Sequence, residues 1–318
     1  MTIQVFFGAD PEEWDSYHQE LKAALAEAGL DARLTNGNVA PEAVDYIVFS
    51  PGGVITDFTP YTRAKAVLNL WAGVEKIVGN ITLTQPLARM VDPAMTESMV
   101  EWVVGHTLRH HLGMDRHIHG QDGVWRNDTI GSKMEMRPIA RERMVTILGL
   151  GELGQAAAQA LVALNFPVRG WSRTPREVPG VECFSGDAGI DDALRGAEIV
   201  ILLMPYTPAT ENTLNAARLA LLAPGAVILN PGRGQLIDDA ALLAALDSGH
   251  VGQATLDVFR VEPLPPEHPY WAHPSVTVTP HIAAQTRPRT ASRVIVENIR
   301  RSEAGQPLLH LVDRKRGY

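Results

Sequence analysis

A chain of 318 residues is long enough for two domains of ordinary size, and 45% hydrophobic with 20% charged residues is a composition that builds a full core rather than a disordered chain. A net charge of −8 argues against a nucleic-acid or anionic-membrane partner, so any anionic ligand must be drawn by a local positive site. The single cysteine, Cys183, excludes an intrachain disulfide and a cysteine-based zinc cluster. No apolar run approaches the roughly 18 residues needed to cross a bilayer. The opening Met1-Thr2-Ile3-Gln4-Val5 reads as a strand rather than a signal peptide, which makes the cytoplasm the expected compartment.

Residues 3–7 predict a buried strand and residues 11–28 a helix stopped at Gly29. Further strands are expected at 31–34, 46–50, 66–71 and 87–90, with turns at Pro51-Gly52-Gly53 and Ala72-Gly73-Val74. Strands alternating with helical patterns mean a parallel sheet, so the first 95 or so residues read as one small α/β unit. A helix follows at 96–112. His106 and His110 stand one turn apart on it, a spacing that could hold a metal. No Glu completes an H-E-x-x-H pattern and no third ligand is evident, so no metal is expected. Residues 120–143 are polar and turn-rich, with Trp125 as the one large anchor, and predict a loop crossing a domain or subunit boundary.

Residues 144–148 form a short apolar strand that runs into Gly149, Gly151 and Gly154, and a helix is expected at 153–164. G-x-G-x-x-G alone is weak evidence, because glycines also mark ordinary turns. Between a strand and a helix, and followed by a second strand at 168–173, it is a complete dinucleotide-binding unit. Gly149 permits the turn, Gly151 lets a pyrophosphate approach, and Gly154 lets helix and strand pack. The helix start, with Glu152 and Leu153, aims free N–H groups at the phosphates. An NAD site usually places an acid about 20 residues beyond the glycines to hold the ribose 2′-hydroxyl. Here Ser172, Arg173 and Thr174 occupy that place, Arg176 follows, and no acid comes before Glu177. Guanidinium groups grip phosphate oxygens bidentately, so the pattern favours NADP(H) over NAD(H).

Four more strands complete an expected six-stranded second sheet: 198–204 leading to Pro205, then 226–230, 252–258 and 276–279. Helices are predicted from Pro208 to Leu222, at 238–248 with Asp238 as N-cap, and at 283–304, and the tail at 308–318 is expected to return to the first domain. Ligands of open parallel sheets sit beyond the carboxyl ends of the strands. Arg233 follows the fourth strand, Asp257 and Glu262 close the fifth, and His281 follows the sixth. Singly, each has a structural explanation as a cap, a surface charge or a core histidine. Together they predict an acid/base site with an anion clamp. Arg233 binds a carboxylate and polarises a carbonyl; His281 gives a proton to the forming alkoxide; Glu262 fixes the ring's tautomer and keeps it charged. The expected chemistry is hydride reduction of a 2-oxo acid, or its reverse.

The runs Asn230-Pro231-Gly232-Arg233-Gly234, Leu256-Asp257-Val258-Phe259-Arg260-Val261-Glu262-Pro263-Leu264 and Thr279-Pro280-His281-Ile282-Ala283-Ala284-Gln285-Thr286 closely resemble the D-isomer-specific 2-hydroxyacid dehydrogenases, specifically their glyoxylate/hydroxypyruvate reductase A branch. That branch's look extends to Trp171-Ser172-Arg173-Thr174, Pro263-Leu264-Pro265-Pro266-Glu267, Thr286-Arg287-Pro288 and the terminal Val312-Asp313-Arg314-Lys315-Arg316-Gly317-Tyr318. The resemblance implies an Arg-Glu-His set carried by Arg233, Glu262 and His281, backbone N–H groups of Ala72, Gly73 and Val74 on the substrate carboxylate, and Asp257 on the nicotinamide amide. It further implies an α/β fold of two domains. A flavodoxin-like substrate domain (1–97 and 286–318) would hold, inserted in it, a Rossmann-type doubly wound domain (98–285), through which a homodimer forms. The cofactor-binding set is then Gly149, Gly151, Glu152, Leu153, Gly154, Ser172, Arg173, Thr174, Pro205 and Asp257. Two positions depart from the family's look: Trp71, where a small residue commonly precedes the turn, and Pro231-Gly232 in place of a small apolar pair. Both bear on substrate preference. Two rival readings are a dehydrogenase of a larger acid such as 3-phosphoglycerate and a dinucleotide-sensing regulator without turnover. The first should prefer NAD and needs extra phosphate-binding basic residues, and the second usually carries a partner-binding segment; neither feature is found in the sequence.

Overall fold

The computed structural model describes residues 2–123, 129–130, 133–134 and 137–317; Trp125 lies outside them. The chain divides into two compact units, 1–95 with 285–318, and 96–284. The boundaries fall one to two residues before those read from the sequence. Among the described residues no helix is long and apolar enough to cross a membrane.

The first unit is built on a five-stranded parallel sheet: β1 (Ile3–Phe7), β2 (Ala32–Thr35), β3 (Tyr46–Phe49), β4 (Ala66–Asn69) and β5 (Leu87–Ala88), in the order β2-β1-β3-β4-β5. Both central strands, β3 and β4, are buried along their whole length, which is why they read as unbroken apolar runs rather than alternating ones. Helix α1 (Trp14–Glu27) packs against the last helix of the chain, α8 (Pro288–Glu303). A single 3-10 turn at Pro11–Glu13 takes the start of the predicted first helix. The tail docks here: Leu311 bridges to Ala88, Val312 is buried in the core, and the Arg314 guanidinium donates to the carbonyls of Leu83 and Asn80.

The second unit starts within α2 (Pro93–His111), continues through α3 (Met114–His119) and a two-residue antiparallel pair, β6 (Thr129–Ile130) with β7 (Lys133–Met134), and then winds a seven-stranded parallel sheet. Its elements are β8 (Val145–Leu148), α4 (Glu152–Ala163), β9 (Val168–Ser172), β10 (Val181–Ser185), α5 (Gly186–Leu194), β11 (Ile199–Leu202), α6 (Ala216–Leu219), β12 (Ala226–Asn230), α7 (Asp239–Asp247), β13 (Val251–Leu256) and β14 (Val276–Val278). The order is β10-β9-β8-β11-β12-β13-β14, a doubly wound sheet whose winding reverses between β8 and β11. The strand ends at that reversal are the expected ligand edge.

Three expectations need correction. The sheet has seven strands, not six, because β10 was missed. It is an edge strand paired only to β9 and nowhere fully buried, so its sequence lacks the apolar run that marks its neighbours. The helix predicted up to Leu222 shrinks to α6. Hydroxyls of Thr210 and Thr213 bond the carbonyls of Pro205 and Thr210, Thr207 N–H donates to Thr210 Oγ1, and Asn212 takes a positive φ of 49°, so side chains satisfy the backbone in place of helical bonds. The last helix begins at Pro288 rather than near 283, since a residue preceding proline is driven out of the helical region.

Candidate active site

The glycine turn is formed by contact rather than by composition. Gly149 has a φ of 115°, and a Cβ there would stand 2.6 Å from the carbonyl carbon of Leu203. A Cβ on Gly154 would stand 1.8 Å from Gly149 O, so α4 can begin this close to the turn only without a side chain. At Gly151 nothing lies within 4 Å of the added atom, which leaves the space where a pyrophosphate would approach. No side chain caps α4, whose first N–H groups, around Glu152, Leu153 and Gly154, have no intrahelical acceptor. Gln155 braces the turn through Leu150 O at 3.0 Å. The residues present fit a dinucleotide.

β9 ends at Ser172, half-buried, with Arg173, Thr174 and Arg176 exposed beyond it. The Ser172 hydroxyl donates to Thr174 O at 2.7 Å, which closes the turn that displays Arg173. Trp171 is 8% exposed and donates from Nε1 to Gly186 O, anchoring the strand end to α5. Pro205, half-buried beyond β11, has its carbonyl tied to Thr210 Oγ1.

Three further strand ends bring the ionisable set together. His281 Nδ1 lies 2.8 Å from Glu262 Oε2, and Glu262 Oε1 accepts from Phe259 N–H at 2.9 Å. Partial burial pushes the Glu262 carboxyl up, but the bonds from His281 and Phe259 and the charges of His281 and Arg233 outweigh it and leave the group below the usual carboxylate range. An ionised carboxylate can only accept, so Nδ1 carries a proton and Nε2 is the nitrogen left for chemistry. The Arg233 charge is thus within electrostatic reach of Glu262, as a clamp beside the acid requires. The half-buried Arg233 is carried on a turn stapled by Asn230, whose amide donates to Arg233 O at 2.9 Å and accepts from Gly232 N–H at 3.1 Å. Gly232 is explained as well: a Cβ there would stand 2.7 Å from Leu202 O.

Asp257 is fully buried and holds the histidine turn. Its Oδ1 accepts from Thr279 Oγ1 at 2.6 Å and Ile282 N–H at 3.0 Å, its Oδ2 from Ala283 N–H at 2.9 Å, and its carbonyl from His281 N–H at 2.8 Å. Sequence reading missed this staple, along with Asn230 and Thr279. A buried polar residue directly after an apolar strand was the available signal. His110, one of the suspected metal pair, spends Nδ1 on Gln253 and Nε2 on Thr255, both at 2.8 Å, and is a core histidine. Among the described residues no group of three ligating side chains could hold a metal.

In the first unit, Asn69 at the end of β4 is buried and donates from Nδ2 to Trp71 O at 2.7 Å and Gly73 O at 3.0 Å. With those carbonyls held inward, the N–H groups of Ala72, Gly73 and Val74 have no acceptor among the described residues. Consecutive unspent N–H donors of this kind are chemically suited to an anion such as a carboxylate.

Comparison with known proteins places the chain in a family. The profile described as D-isomer specific 2-hydroxyacid dehydrogenase, NAD binding domain, matches residues 104–283. The chain is 36% identical to glyoxylate/hydroxypyruvate reductase A of Yersinia enterocolitica and 39% identical to that of Serratia proteamaculans, in each case over 95% of this chain and 98% of the relative. A D-isomer specific 2-hydroxyacid dehydrogenase from Xanthobacter autotrophicus Py2, solved in complex with NADPH and MES, is 42% identical with a TM-score of 0.89, covering 100% of this chain and 99% of that one. An NADPH-dependent glyoxylate/hydroxypyruvate reductase from Sinorhizobium meliloti, solved with NADP and sulfate, is 34% identical with a TM-score of 0.85 over 100% of both chains. Profile, full-length relatives and a Glu-supported histidine at the edge of a doubly wound sheet converge: the chain belongs to the D-isomer-specific 2-hydroxyacid dehydrogenases.

Proposed function

We propose that this protein is an NADPH-dependent reductase of small 2-oxo acids, converting glyoxylate to glycolate and hydroxypyruvate to D-glycerate. The observation that carries the chemistry is the 2.8 Å pair of His281 and Glu262, with the Arg233 charge beside it. The relatives named glyoxylate/hydroxypyruvate reductase A support the substrate class, and neighbours solved with NADPH or NADP support the cofactor. In this reading the glycine turn and the start of α4 take the pyrophosphate, and Ser172, Arg173 and Thr174 take the 2′-phosphate.

Bound there, NADPH supplies the hydride. The N–H groups of Ala72, Gly73 and Val74 hold the substrate carboxylate. The role assigned to Arg233 is to draw electron density onto the 2-oxo oxygen. His281 donates the Nε2 proton to that oxygen as it becomes an alkoxide, and Glu262 stabilises the charged ring and holds its orientation. Asp257 keeps His281 in place; its remaining acceptor capacity suits the nicotinamide amide. We assign residues 1–97 with 286–318 to substrate and 98–285 to the dinucleotide. The active form is a homodimer joined through the cofactor domain, in the cytoplasm, with neither nucleic acid nor membrane as partner. A panel of 2-oxo acids assayed with NADPH and NADH tests the reading. Rapid NADPH oxidation with glyoxylate and hydroxypyruvate is expected, whereas dinucleotide binding without turnover on any acid would overturn it. Light scattering of the purified protein tests the dimer.

A further inference from the structure

We propose that Trp71 is the residue that limits the size of the substrate's side chain, an inference that rests on the 2-oxo acid reading above. Trp71 directly precedes the N–H cradle, and its carbonyl is fixed by Asn69 Nδ2 at 2.7 Å and by Met90 N–H at 3.1 Å, so wall and cradle share one frame. The sheet order places β3 between β4 and β1. From the end of β4, the indole Nε1 reaches Glu13 Oε1, in the segment after β1, at the outer hydrogen-bond limit of 3.5 Å. Ser50, buried at the end of β3, donates to the other oxygen of Glu13. The Lys76 ammonium stands 5.8 Å from the ring centroid, within cation–π range. The indole therefore lies across the carboxyl ends of the sheet, its edge held by an acid and its ring by a cation.

That is the edge where ligands of open parallel sheets sit. Trp71 nevertheless remains 39% exposed. A tryptophan recruited only for packing buries its ring, whereas this one is pinned in place with apolar surface left open next to an anion cradle. With the carboxylate fixed, the group on the far side of the 2-oxo carbon is what meets such a wall. The hydrogen of glyoxylate and the hydroxymethyl of hydroxypyruvate are small enough to pass; branched and aromatic groups are turned away. Glu13, which touches the indole rather than the substrate, is a positioning residue.

The test compares kcat/KM for glyoxylate, hydroxypyruvate, 2-oxobutyrate, 2-oxo-4-methylpentanoate and phenylpyruvate with NADPH in the wild type, Trp71→Ala, Trp71→Phe and Glu13→Gln, with NADPH affinity measured by calorimetry in each. A hydrophobic pocket discriminates by roughly 10–200-fold per methylene-sized change. Trp71→Ala is expected to raise the ratio of 2-oxo-4-methylpentanoate to glyoxylate at least tenfold, mainly through KM. Trp71→Phe and Glu13→Gln should move it less in the same direction, since one shrinks the ring and the other only releases it. A ratio unmoved in Trp71→Ala, with NADPH binding retained, overturns the assignment; should that variant lose NADPH binding, the ratio in Trp71→Phe decides in the same way. A wild type that binds NADPH and reduces none of the acids removes the underlying reading and this inference with it. Reduction of glyoxylate with an unmoved ratio removes only Trp71.

Discussion

His281 sits at φ 53°, a backbone conformation that costs an L-residue roughly 1–2 kcal/mol and must be held from outside. Asp257 and Thr279 hold it, and the result is a half-exposed ring whose Nδ1 is committed to Glu262. Replacing His281 by Gln keeps the volume and removes the acid, so turnover should fall by roughly 10²–10⁴ while NADPH binding stays close to wild type. Steady-state kinetics with calorimetric titration decides it; unchanged turnover takes His281 out of the acid role. Glu262 makes a pH statement. Its carboxyl lies below the usual 4.5, so it stays ionised as pH falls from 7 toward that value. The pair is then expected to cause no loss of reduction rate in that window, as a pH–kcat profile would show. The sign follows from linkage: a depressed carboxylate contributes stability above its unfolded value and loses it as pH falls through the folded one. Glu262→Gln should lower kcat by less than the roughly 10²–10⁴-fold expected for loss of the acid itself, because the ring keeps its proton donor and loses only the carboxylate that orients it. Arg233, Glu262 and His281 were legible because each is an ionisable residue placed directly after a predicted strand. Asn69, Asn230 and Thr279 were not: the two amides staple turns whose path residue types do not fix, and the Thr279 hydroxyl gains its role only when Asp257 is brought to it by another strand.

At the level of elements, the end of β9 is the place proposed to select the cofactor. Its last residue, Ser172, closes onto Thr174 O, and Arg173 follows it, exposed at the bend. Arg173→Asp should move the NADPH/NADH preference toward NADH by at least tenfold, about 1.4 kcal/mol, read as the ratio of the two kcat/KM values. An unaltered ratio would mean the 2′-phosphate is held elsewhere. The elements that matched expectation are the buried ones. β3, β4, β8, β11 and β12 lie buried throughout, and an apolar run declares itself in any context. β10 and the segment before α6 did not declare themselves. One is an edge strand that needs β9 beside it, and the other is a helical-looking stretch whose threonines bond its own backbone.

For the molecule as a whole, the clearest solution property should come from the histidines of α2, where His110 bonds Gln253 and Thr255 of β13, His106 lies on Trp102 and His111 meets Phe166. Burial first, then the charges of Arg109 and His110, push His106 down to about 4, while His110 and His111 are lowered chiefly by burial. Trp102 covers the His106 ring at 4.4 Å between centroids, and its Nδ1 has no hydrogen-bond partner. Each ring is neutral in the folded chain and would take a proton in the unfolded one, so stability is fully present above pH 6.5 and falls as pH drops toward 4. His106 alone accounts for at most ~3 kcal/mol of that fall, less whatever solvent screening removes. Urea unfolding between pH 7 and 4 should show the decline, and His106→Phe should flatten it; equal slopes in the two proteins would remove His106 from the account. By itself the sequence determined the parallel α/β class and the glycine turn, and it named the strand end proposed for the phosphate and the proposed Arg-Glu-His set, because each depends on residue type and on spacing along the chain. Only the tertiary structure decided that Asp257 is the staple of the histidine turn, that Asn69 frees the N–H groups of 72–74, and that Trp71 is pinned by Glu13. The first and last of those relations join residues 22 and 58 positions apart and exist only once the strands of one sheet end side by side, while the Asn69 staple, two to four positions long, depends on the path the turn takes in the fold.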